Sequence, residues 1–204
     1  MKIGISSNVR FSGPLERCVA SFLDSGFSAD ELVAFIGGHD AYERVRVHGI
    51  DGIEAFRAPH DSFDFTAMLA VLDLDMQDDW TFVHDTVTVE PKFKRAIESC
   101  APDTVYALTN DGPSMSMGVF PWRKLVSIRG DLERFRNASK SACVQFEDVF
   151  LRGATPLNTA ARIVRGPEDV YGTGTPRVVE YYPDVGVHKY KSNWAVKDEY
   201  RVDP

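Results

Sequence analysis

The chain has 204 residues, of which 44% are apolar and 26% charged, and carries a formal net charge of −7. That length suits one domain with a sizeable core, and the acidic balance argues against a general nucleic-acid binder, which presents a basic surface. No apolar run approaches the roughly 20 residues that a membrane-spanning helix needs.

The amino terminus enters a strand pattern at once, with no basic-then-apolar export segment. Cys18, Cys100 and Cys143 are widely spaced and form no CxxC pair, so neither a disulfide framework nor a zinc ribbon is expected. The expected setting is the cytoplasm.

Lys2 to Ser6 reads as a first strand. Ser12-Gly13-Pro14 then opens a helix in which Leu15, Cys18, Val19, Phe22 and Leu23 recur at helical spacing, with Gly26 as the stop. Glu31 to Ile36 is a second strand, closed by Gly37-Gly38, and about Gly52 to Arg57 a third. Phe65, Met68, Leu69 and Leu72 mark another helix, for which Ser62 is the expected N-cap. An acidic turn from Asp73 to Asp79 leads into Trp80-Thr81-Phe82-Val83-His84-Asp85, an apolar strand that runs into a histidine and a carboxylate. A short helix follows Pro91, and Thr104 to Leu108 is a further strand.

This alternation predicts an α/β fold, a mostly parallel central sheet flanked by helices on both faces. The second half is less regular. Asp131 to Asn137 and Ser141 to Leu151 have helical character, and Ala161 to Val164 and Arg177 to Tyr181 read as strands. Between those strands, Gly166 to Pro176 is glycine- and proline-rich and is expected to be a mobile loop.

Three of the five histidines precede an aspartate, at His39-Asp40, His60-Asp61 and His84-Asp85, each where a strand should end. Sheets of this class bind ligands at the carboxyl ends of their strands. Asp85 there either caps the following turn or holds a hard cation through oxygen. Glu147-Asp148 lies among Val144, Phe146, Val149 and Phe150, apolar surroundings that suit a general base; the alternative is one exposed acid and one capping acid. His188-Lys189-Tyr190-Lys191, followed by Lys197 and Arg201, concentrates positive charge late in the chain, as a solvated tail or as a segment closing on an anion. Arg162 and Arg177 are further phosphate candidates. No Walker loop, GxGxxG or GxSxG elbow occurs.

Taken together, Ile5-Ser6-Ser7-Asn8, Asp40, Phe82-Val83-His84-Asp85-Thr86-Val87, Phe146-Glu147-Asp148 and His188-Lys189 resemble, in order and spacing, the GT-A fold of nucleotide-sugar-dependent glycosyltransferases. The resemblance implies a Rossmann-related, GT-A-like single domain over residues 1–204. Its nucleotide-binding half would cover about 1–110 and its acceptor and closing half about 111–204. It implies transfer of a sugar from a nucleoside diphosphate sugar, most commonly UDP, to a glycan hydroxyl with inversion. The implied donor contacts are Ser6, Ser7, Asn8, Asp40, Asp64, His84, Lys189 and Lys191. Asp85 and His188 would hold Mn²⁺ or Mg²⁺, and Asp148, beside Glu147, would be the catalytic base. A full DxD motif has an acid where Val87 stands. Two other readings stay open. One is a sugar-phosphate nucleotidyltransferase, whose basic glycine-rich loop is here reduced to Arg10. The other is a non-catalytic domain of the same fold that binds a glycan or a partner.

Overall fold

The structure, a computed structural model, describes residues 1–8, 12–47, 50–109, 117–139, 142–143, 149–169 and 177–191, with the side chains of residues 12, 51, 167 and 191 left aside. Twelve strands are described in two sheets. The larger has eight strands in the order β3-β4-β2-β1-β5-β8-β7-β9. Their ranges are β1 (Lys2–Asn8), β2 (Leu32–Gly37), β3 (Glu43–Val47), β4 (Ile50–Ala58), β5 (Trp80–His84), β7 (Tyr106–Thr109), β8 (Gly118–Phe120) and β9 (Thr155–Asn158). The smaller runs β10 (Ile163–Glu168), β11 (Arg177–Tyr182), β12 (Val187–Lys191) and β6 (Val87–Val89), in that spatial order. The helices are α1 (Ser12–Asp24), α2 (Thr66–Asp73), α3 (Pro91–Glu98), α4 (Trp122–Ser127) and α5 (Arg129–Leu132), with short 3-10 turns such as Phe63–Phe65.

This overturns the expectation of a mostly parallel, Rossmann-related sheet of the GT-A type. Parallel pairing is confined to β4-β2-β1-β5 and to β7 with β9. The pairs β3–β4, β5–β8 and β7–β8 are antiparallel, as is the whole of the smaller sheet. Connection length explains the reversals at β3–β4 and β7–β8, because a parallel crossover needs a dozen or more residues. Only residues 48 and 49 separate β3 from β4, and the link from Thr109 to Gly118 is too short for a helical crossover. The alternating strands and helices of the first half did produce the β1-α1-β2 and β4-α2-β5 crossovers.

Two apolar layers cover the large sheet. Strand alternation sends Ile3, Ile5, Leu32, Ala34 and Val83 to one face, against Leu15, Cys18, Val19 and Phe22 of α1 and Phe93 and Ile97 of α3. Val33, Phe35, Trp80 and Phe82 go to the other, against α2, Leu125 of α4 and Leu132 of α5. Gly4 makes room on that second face: a Cβ there would meet the Phe82 ring at 2.9 Å. The stacked Trp80 and Phe82 rings, 6.0 Å apart, need that space. Gly26 ends α1 with φ of 90°, a conformation that glycine adopts at little cost. Among the described residues, no helix is long and apolar enough to cross a membrane.

The His60-Asp61 corner serves the interior. Asp73 is held by Arg136 (2.9 Å) and accepts the Tyr42 hydroxyl at 2.6 Å. Since Tyr42 donates there, its oxygen accepts from His60 Nε2 (3.0 Å), and His60 Nδ1 in turn accepts the Ser62 hydroxyl (3.1 Å). Ser62 Oγ then receives the Asn137 amide at 3.2 Å. The Ser62 bond needs an imidazole unprotonated at Nδ1, and burial, with Arg136 nearby, pushes the His60 pKa down to about 4. The expected N-cap role of Ser62 is thereby corrected: its side chain makes no cap bond and serves His60 instead.

A pH dependence follows. The unfolded chain binds a proton at His60 near the ordinary value of 6.5 while the native state refuses it, so stability is full above that pH and falls as pH drops toward about 4. The expected loss over this window is at most about 3 kcal/mol. Urea unfolding at pH 7 and pH 4.5 measures it. An undiminished loss in His60→Gln would assign the effect to other groups.

Candidate functional site

In the parallel block β4-β2-β1-β5, the chain first builds outward from β1 to β2 and β4, then returns to place β5 on the other side of β1. This change of direction makes the carboxyl ends of β1 and β5 a topological switch point, the place where open parallel sheets take ligands. Ser6, Ser7 and Asn8 end β1, and His84 ends β5, with Asp85 directly after it. All five are buried, at 5 to 9% exposure, although their side chains are polar.

The two strand ends are tied together. The Ser7 hydroxyl donates to Asp85 Oδ2 at 2.8 Å, and the Asp85 amide donates to the Ser6 carbonyl at 3.0 Å. Ser6 works on the opposite face. Its Oγ accepts the Ala67 amide at 3.1 Å and so satisfies one of the orphan donors at the start of α2, the role the sequence had suggested for Ser62.

His84 occupies the centre of a three-residue chain. Lys189 on β12 donates its ammonium to His84 Nδ1 in a short bond, which leaves Nε2 as the protonated nitrogen. Nε2 faces Asp64 Oδ1 at 3.1 Å. Asp64, His84 and Lys189 thus join the 3-10 turn before α2, the large sheet and the small sheet. Beneath them lies Cys18 of α1, fully buried, with its Sγ 3.7 Å from the His84 carbonyl. Burial raises the Cys18 thiol pKa well above its usual value; Asp85 raises it further and Lys189 pulls it down, so both charges reach this one sulfur.

The remaining predicted residues lie as follows. Asp40 is exposed in the turn after β2. His188 neighbours Lys189 on the strand and so points to the opposite side. Its Nε2 bonds Glu90 Oε1 at 3.1 Å, and its ring stacks on Tyr181 with centroids 4.5 Å apart. The structure therefore does not bring His188 to Asp85. Arg162 is bonded to the buried Glu180, and Arg177 is itself buried within β11. Glu147 and Asp148 lie outside the described residues, as does the Lys191 side chain.

The described side chains do not fit a divalent cation. Among them no group of three or more His, Cys, Asp or Glu converges. Val87, where a second acid would stand, is 1% exposed and belongs to the core. Its directly opposed residue across the β6–β12 ladder is Lys189.

Sequence reasoning missed the Asp64–His84–Lys189 chain and Cys18. The available signal for Cys18 was its place on the apolar stripe of α1. Nothing local links residues 64, 84 and 189. Compared with protein-family models and with curated proteins, the chain matches none.

Proposed function

We propose that the protein is a glycosyltransferase acting in the cytoplasm, moving a sugar from a nucleoside diphosphate sugar to a glycan hydroxyl with inversion. The observation that carries this reading is the buried polar cluster at the carboxyl ends of β1 and β5. There Ser7 and Asp85 are bonded to each other, and the Lys189 ammonium is bonded to His84. A site of that kind offers hydroxyl and carboxylate acceptors for a sugar and positive charge for a diphosphate. Asp40, exposed beyond β2, serves the nucleoside end.

In this reading Asp148 takes the proton of the acceptor hydroxyl as its oxygen attacks the anomeric carbon. The bond from that carbon to the diphosphate oxygen breaks, and the nucleoside diphosphate leaves with the electron pair. Positive charge held in advance near the leaving group lowers the barrier without reorganisation at the moment of reaction. UDP is the first base to try.

A thermal-unfolding screen of UDP, GDP, CDP, ADP and dTDP tests the reading. A ligand at about 100 times its Kd stabilises the native state by about 2.7 kcal/mol, which for a chain of this size raises Tm by roughly 5–10 °C. Absence of a rise with all five diphosphates, with or without Mn²⁺, sinks it. Pyrophosphate release from a nucleoside triphosphate would favour the nucleotidyltransferase reading instead.

A further inference from the structure

The ends of β1 and β5 hold a buried lysine, Lys189, as well as the carboxylates Asp64 and Asp85. Where a second carboxylate would complete a metal-binding pair stands Val87, buried and apolar, and the residue facing it across the β6–β12 ladder is a lysine. Opposed residues of an antiparallel pair share a face, so Lys189 enters the space that a second acid would have bordered. Lys189 is only 8% exposed, an uncommon degree of burial for a lysine, and the rest of the site is arranged to hold it there. His84 Nδ1 accepts one of its three donors, and Asp64 fixes the tautomer that makes Nδ1 an acceptor. The Tyr190 amide donates to the Thr86 carbonyl at 2.9 Å, pinning this stretch of β12 to the turn that contains Asp85.

We propose that Lys189, positioned by His84 and Asp64, is the cationic partner of the donor diphosphate, and that the site binds its donor without a divalent cation. Asp85 then acts as a hydroxyl acceptor: it already takes the Ser7 hydroxyl, and in the complex it takes a hydroxyl of the donor sugar. A buried ammonium is well suited to this work, because it is a compact charge acting where water screens it little. The His84 and Asp64 side chains keep it from swinging away and are positioning residues. This inference rests on the glycosyltransferase reading and adds the means by which the diphosphate charge is met.

The test is calorimetric titration of the whole protein with whichever of UDP, GDP, CDP, ADP and dTDP stabilises it, in EDTA and again in MnCl2. The expected affinities agree within about twofold, and Lys189→Met lowers both by about tenfold or more, whereas Lys189→Arg, which keeps the charge, restores most of the loss. Thermal unfolding of each variant separates loss of the fold from loss of binding. Methionine matches lysine in length and is cheaper to bury, so Lys189→Met is expected to fold. An affinity that rises tenfold or more on adding Mn²⁺ overturns the proposal, as does wild-type affinity in a folded Lys189→Met. Both results leave the glycosyltransferase reading standing. Failure of every diphosphate to bind in either buffer removes that reading, and this proposal with it.

Discussion

Replacing Asp148 with asparagine is expected to lower sugar transfer by about 10²–10⁴-fold, the range lost when a general base is removed. The change is isosteric and, in the proposed mechanism, removes only the ability to take a proton from the acceptor hydroxyl. Nucleoside diphosphate affinity should stay within about twofold of the unmodified protein, because in the proposed mechanism the base acts on the acceptor hydroxyl and not on the leaving group. The measurement is initial-rate transfer from the donor identified by the thermal screen, beside calorimetry with the matching diphosphate. Full transfer in a folded Asp148→Asn protein would move the base elsewhere, and Glu147 is then the next substitution to make.

The second large effect concerns stability. Gly118 lies in β8 at the point where the large sheet changes from parallel to antiparallel pairing, opposite Phe82 of β5 and Ala107 of β7. A Cβ at this position would stand 2.2 Å from the Tyr106 carbonyl oxygen and 3.0 Å from Leu151 Cδ2. The nearer atom is backbone within a paired strand, so it cannot rotate aside. Gly118→Ala should therefore cost about 3 kcal/mol, at the upper end of ordinary overpacking, and lower Tm by roughly 6–12 °C. Gly130 is a matched control, since a Cβ there meets nothing within 4 Å. Gly130→Ala, in α5, should leave stability unchanged or raise it, because alanine favours the helix. Equal melting temperatures for the two variants would contradict the argument.

The amino-terminal half of the fold was legible because its signals are local. Leu15, Cys18, Val19 and Phe22 recur at helical spacing and are all buried on one face of α1. The apolar run from Trp80 to Val83 is buried throughout β5, as an internal strand should be. The hairpin partner β3 went unseen because Glu43-Arg44-Val45-Arg46-Val47 is a charged edge strand with little burial to advertise it. The direction of β8 and the existence of a second sheet depend on pairings between distant segments, which spacing within either segment does not encode.

The site divides in the same way. That a polar pair would end β5 could be read from the switch from apolar to polar residues at His84-Asp85. Sequence placed all three His-Asp corners at strand ends, and the structure shows the different environment of each. His39-Asp40 lies in a surface turn, His60 is locked into the Tyr42–Asp73 network, and His84 bridges Asp64 and Lys189. His188 and Lys189 were expected to meet one donor, whereas on a strand neighbouring residues serve opposite faces.

The pairing of β6 with β12 has a consequence for the order in which this protein takes shape. Strands β1, β2, β4 and β5 are complete once residue 84 has been made, and they need nothing later in the chain to pair with one another. Strand β6 follows after only Asp85 and Thr86, yet its ladder partner arrives about a hundred residues later, with Val187 to Lys189. At a synthesis rate of roughly 5–20 residues per second, β6 waits on the order of 5–20 seconds as an unpaired edge. Over that interval Asp64 and His84 can already meet, but the lysine that completes their chain does not yet exist. A nascent chain should accordingly gain protease resistance over its first half well before Lys189 can join His84.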